Sequence, residues 1–155
     1  MPSGGAMEKI EQWNGHRTKI PAGRYFLKGI GGQKANIWHA GQGGYGKSEK
    51  IVLWFEVLEG DEIGKVLPMF LPLGKNGKVS QGSKYFTAWC IANGLRRPQR
   101  ARLKEMPPLK FKDKVFEGEV VDVKPKWVTG QEQPSLFHYS RVDILYELVV
   151  GDPNS

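Results

Sequence analysis

Alternation of apolar and polar side chains marks five stretches of the chain as strands, and a change of period marks one as a helix. In Lys50–Leu58 (KIVLWFEVL), Ile51, Leu53, Phe55 and Val57 fall on one face, while Val52, Trp54 and Glu56 fall on the other. Trp54 is therefore expected to face outward. Gly23–Ile30, entered after Pro21, is the first strand, and Lys65–Leu73 (KVLPMFLPL) is the third. Pro68 and Pro72 lack amide donors, which puts that third strand at a sheet edge or a bulge. In Lys84–Leu95 (KYFTAWCIANGL), Tyr85, Trp89, Ala92 and Leu95 form one helical stripe, Ser83 can cap the start and Gly94 loosens the end. Val115–Val123 is a fourth strand with Gly118 at a bulge, and Val142–Val149 is a fifth, with Val142, Ile144, Tyr146 and Leu148 on one face. Two segments show no period and read as long loops: GIGGQKANIWHAGQGGYGKSEK, rich in glycine, and Lys124–Arg141.

Strand, strand, strand, helix, strand, strand is an order that buries both the sheet interior and the helix if the sheet closes on itself. The expected class is mainly β: a five-stranded oligonucleotide-binding (OB)-like barrel with one helix between strands 3 and 4. An SH3-like barrel and an α+β sheet with one helix are the alternatives. At 155 residues the chain suits one domain. We expect a flexible segment over 1–15, the OB-like domain over 16–150 and a short tail over 151–155. With 39% hydrophobic residues there is material for a core, which excludes wholesale disorder. The lone Cys90 excludes an internal disulfide framework and a cysteine-rich zinc site, and no apolar run is long enough for a membrane span. A cytoplasmic location without membrane association is the expectation.

Charge narrows the choice of partner. The net charge is +7, and its distribution matters more than its size. Arg17, Lys19, Arg24, Lys28, Lys34, Lys47 and Lys50 are accompanied only by Glu49 between Arg17 and Lys50, and a second run from Arg96 to Lys114 holds eight bases against Glu105 and Asp113. Such runs suit a phosphate backbone.

GRYFLKGI, IVLWFEVLEGDEIGKVLPMFLPLG, KYFTAWCIANGL, KVFEGEVVDVKP and SRVDILYEL together resemble small phage and mobile-element single-stranded DNA-binding proteins with an OB-like fold, over Pro21–Leu148. The resemblance lies in organisation. It implies nonenzymatic binding of single-stranded DNA, in replication or recombination, with replication or recombination proteins as candidate partners. The sequence shows no acidic tail of the kind common in replication single-strand binders, so recruitment through such a tail is not expected.

A single-strand binder needs cations along the phosphates and flat side chains on which bases stack. Trp38 and Tyr45, beside Lys34 and Lys47 in the glycine-rich segment, are the first stacking candidates; Trp54 is another, and Trp127, Phe137 and Tyr139 form a second group. For phosphates the candidates are Arg24, Lys28, Lys34, Lys47 and Lys50 in the first run, and Arg96, Arg97, Arg100, Arg102 and Lys104 in the second. RNA is the alternative ligand, and a protein-docking module on the same barrel is the alternative function. Catalytic readings are weak. His16, His39 and His138 lack metal-ligand spacing with one another or with Cys90, so no metal or other cofactor is expected. GQGGYGKS (Gly41–Ser48) fits the formal phosphate-loop pattern, but a strand follows it where such a loop needs a helix.

Overall fold

The computed structural model describes residues 18–41, 44–74, 78–127, 129–135 and 138–150, of which 36–41, 44–48 and 150 are described by their backbone alone. The expected segments 1–15 and 151–155, and the candidate Phe137, lie outside the described residues.

Five antiparallel strands form one sheet, β1 (Gly23–Gly41), β2 (Gly44–Val57), β3 (Val66–Pro72), β4 (Val115–Val123) and β5 (Tyr139–Val150), in the order β3-β2-β1-β4-β5. One α-helix, α1 (Lys84–Ala92), lies between β3 and β4, and short 3-10 turns cover Gly60–Glu62, Leu103–Glu105 and Pro108–Phe111. The proline-bearing β3 is an edge strand, as its missing donors require. A single core draws on every strand and the helix: Leu27, Leu53, Phe55, Leu67, Met69, Tyr85, Trp89, Phe116, Val142 and Leu145 are all buried in it. A flat five-stranded sheet could not bring its two edges to one core, so the sheet is curled, and the Phe70 ring of edge strand β3 meets the Tyr139 ring of edge strand β5 edge-on at 6.3 Å. No hydrogen-bonded ladder joins β3 to β5 among the described residues.

The helix starts where the sequence places it. Ser83 Oγ accepts from the Phe86 amide at 3.2 Å, and Ser83→Ala is expected to cost about 1 kcal/mol of stability, read as a lower denaturation midpoint. At the other end the Lys114 ammonium donates to the Ala92 carbonyl at 2.8 Å, satisfying one of the helix's last acceptors. The chain then leaves the helical path through two left-handed residues, Gly94 and Leu95. Leu95 is consequently 81% exposed and does not continue the buried stripe, which consists of Tyr85, Ala88, Trp89, Ile91 and Ala92.

Two further departures have simple physical causes. Among the described residues the glycine-rich segment is not a loop: β1 and β2 pair from Leu27↔Val57 to Gly41↔Gly44, with one register shift between Gly29 and Gly31. Only Gly23–Lys28 of β1 also pairs with β4, and only Lys50–Glu56 of β2 also pairs with β3, so residues 36–41 and 44–49 form a two-stranded ribbon beyond the body of the sheet. Antiparallel pairing satisfies backbone donors and acceptors without an apolar face, which is why the hydropathy pattern does not show it. In β5, register shifts against β4 break the expected alternation: Val142 pairs with Val120 and Leu145 with Gly118, placing Val142 and Leu145 inward while Ile144 and Tyr146 stay exposed. Among the described residues no helix is long and apolar enough to cross a membrane.

Candidate nucleic-acid interface

The outer face of β2 and β3, where the sheet curls toward β5, gathers the richest combination of cations and rings. Lys50 and Val52 share that face of β2, and register sets Phe70 of β3 opposite Val52 and Pro72 opposite Lys50. On β5, Tyr139 and Arg141 flank the fully buried Ser140 and so point together to the outside. Tyr139 meets Phe70, and Arg141 is close enough to Lys50 to lower its proton affinity, an effect secondary to the partial burial that depresses the Lys50 pKa from its ordinary value. Asp143, 3.8 Å from Arg141 and 3.3 Å from Lys84 at the start of α1, is the carboxylate paired with this group.

Position on the face is made firm from both sides. Beneath Phe70, Val52, Trp54 and Val66 form a small apolar cluster to which Ile30, Ala35 and Phe70 add. Trp54 does face outward from the core, but at 6% exposure it supports its neighbours and offers no open platform. Beneath Tyr139, Ser140 Oγ accepts from the Ile20 amide at 2.8 Å and donates to the Ile20 carbonyl at 3.1 Å, while the Ser140 amide donates to Thr18. These bonds tie the chain ahead of β1 to the start of β5, 120 residues away in sequence.

The loop leading into Tyr139 is also built. Lys126 and Glu132 form an isolated bridge, the Trp127 amide donates to Gln131 O at 2.8 Å, and Gly130 turns the chain in the left-handed region. The ring of His138 is buried with Nε2 2.9 Å from Gln133 O and 3.2 Å from a Glu132 carboxylate oxygen, so it fastens the turn. Trp127 stands on that turn, 42% exposed.

The two basic runs approach each other. The Leu73 amide donates to Glu49 O, the Gly74 amide donates to Lys78 O at 2.8 Å, and Lys78 bridges Arg102. Three backbone links thus lead from the Lys50 end of β2 to the Arg96–Lys104 segment. Arg96, Arg97, Arg100, Arg102 and Lys104 are all exposed there, and none forms an ion pair among the described residues.

Other candidates from the sequence are placed differently. Arg24 is 3.4 Å from Glu117 and stacks over Tyr146 at 3.9 Å, on the outer face of β1, β4 and β5. Lys28 alternates onto that same face and is half-buried. Lys34 pairs with Glu49 at 2.9 Å. Trp38, Tyr45 and Lys47 belong to the ribbon, with Trp38 opposite Lys47 and Ala40 opposite Tyr45; their side chains lie outside the described residues. Gly44–Ser48 of the phosphate-loop look-alike runs as strand and opens no helix. Packing requires glycine at two positions: an added Cβ on Gly29 would drive into the Phe111 carbonyl, and one on Gly32 would reach 2.5 Å from Leu53 Cδ2. Among the described residues no group of three His, Cys, Asp or Glu side chains could hold a metal ion.

Phe70 and Arg141 are the members of this group that sequence reasoning does not single out. Their only signal there is residue type. Compared with protein-family models, with curated proteins and with solved structures, the chain matches none.

Proposed function

We propose that the curled sheet is an OB-like barrel, with β3 and β5 as its closing seam, and that the chain binds single-stranded DNA without catalysis, in replication or recombination of a phage or mobile element. The observation that carries this reading is the edge-on meeting of Phe70 and Tyr139 from the two sheet edges, with Lys50 of β2 and Arg141 of β5 on the same outer surface. Cations on such a surface suit phosphates, and rings beside them suit unstacked bases, which duplex DNA keeps inside its helix. The strand order β3-β2-β1-β4-β5 with a helix between β3 and β4 supports the barrel reading, and OB barrels bind oligonucleotides on the strand 2–3 face and adjoining loops. The Arg96–Lys104 segment, reached through Lys78, extends the cationic path beyond the seam.

The test is fluorescence anisotropy with single-stranded DNA, duplex DNA and RNA of equal length at several salt concentrations. Tighter binding of the single strand, with log affinity falling linearly in log salt, is expected. Equal or tighter binding of duplex, or no binding at low salt, would overturn the reading; equal affinity for RNA would widen the ligand class to single-stranded nucleic acid.

A further inference from the structure

We propose that the outer face of β1, β4 and β5 is a self-association surface, its partner a second copy of this chain. Away from Tyr139 and Arg141 at the start of β5, this face holds charges of both signs. Phe26, Ile144 and Tyr146 are each about two-fifths exposed on it, with Phe26 opposite Glu117 and Ile144 opposite Glu119 of the β4 strand between them. Tyr146 follows the inward Leu145 and stands at a bulge: Leu145 pairs with Gly118 and Glu147 with Glu117, leaving Tyr146 as the extra residue between them. Its ring lies under Arg24 at 3.9 Å and its hydroxyl donates to Glu119 at 2.9 Å. Arg24 in turn reaches Glu117 at 3.4 Å. The central ring and guanidinium are therefore already held in place, and Tyr and Arg so held lose little freedom on docking.

Charge selects the partner. The chain carries +7, and two copies repel over most of their surface. Here Arg24 stands opposite Glu119 and pairs with Glu117, Glu147 stands opposite Glu117, Lys28 alternates onto the same face, and the Glu59 carboxylate accepts from the Phe26 amide at 3.0 Å. A face holding both signs is complementary to itself under a two-fold axis, because the bases of each copy can be turned onto the carboxylates of the other. A patch three strands wide is at the small end of protein interfaces, so the dimer should be weak and depend on concentration.

Sedimentation velocity of the full chain, from micromolar to millimolar concentration, tests this. The weight-average mass should rise from 17.4 kDa toward twice that value as concentration increases. Ile144→Lys and, separately, Tyr146→Ser should each hold the mass at the single-chain value over the same range, with an unchanged circular dichroism spectrum and melting curve showing that they fold. A single-chain mass for the unaltered protein throughout, or association equal to it in both folded variants, would overturn the proposal.

Discussion

Gly29→Ala is expected to destabilise the protein by about 3 kcal/mol, the upper part of the range for overpacking a core. An added methyl would lie 2.7 Å from the Phe111 carbonyl carbon and closer still to its oxygen, and the obstacle is backbone, which cannot rotate away. Nor can the Phe111 segment retreat. The Gly29 amide donates to Lys114 O at 2.9 Å, the Asp113 amide donates to Gly29 O at 2.8 Å, and the fully buried Phe111 ring packs against Tyr85 and Phe116 with centroids 6.2 and 5.9 Å away. For a chain of this size the melting temperature should fall by roughly 6–12 °C. Gly31→Ala is the matched control: nothing lies within 4 Å of its added Cβ, and its stability should stay unchanged or rise by under about 1 kcal/mol. Equal melting temperatures for the two variants would contradict the packing described for this glycine.

The second large effect concerns the seam. Replacing Tyr139 by leucine keeps apolar bulk beside Phe70 and removes the flat ring, and Phe70→Leu does the same while leaving the Val52, Trp54 and Val66 cluster filled. Each is expected to weaken single-stranded DNA binding by about 1–3 kcal/mol, roughly five- to 150-fold, since stacking contributes about that much per base. The salt dependence should not move, because no cation has been removed. Trp54→Phe, at a side chain 6% exposed, should change affinity far less than either. Anisotropy titrations at one salt concentration rank the three, and a larger loss for Trp54→Phe than for Tyr139→Leu would move the stacking surface away from the seam.

How much of this is legible in the sequence depends on whether the cause is local. Alternation over Val115–Val123 predicts β4 to the residue, and the proline pair in β3 predicts an edge, because burial period and missing donors act within one strand. The ribbon of β1 and β2 is hidden because pairing through backbone alone leaves no hydropathy signal. Alternation assigns Ile144 and Tyr146 to the wrong face because Asp143 is an extra residue that shifts the pattern by one, and only the register of Val142 with Val120 and Ile144 with Glu119 reveals it. The candidate site is half legible. Lys50 and Tyr139 can be chosen by residue type, but Phe70 and Arg141 join them only once the sheet curls and brings β3 against β5. Arg24 and Lys50 belong to one basic run in sequence, yet strand pairing separates them on the outer surface, Arg24 among the glutamates of β4 and Lys50 at the edge strand β3.

The central claim, that cations at the seam neutralise phosphates of a single strand, is tested most directly by the salt dependence of binding. The slope of log affinity against log salt should be compared between the unaltered chain and the double variant Lys50→Gln, Arg141→Gln on one single-stranded oligonucleotide. The account predicts a slope shallower by about 1.4, that is, about 0.7 for each phosphate no longer neutralised, with weaker binding at low salt. An unchanged slope and affinity in a folded double variant would contradict it.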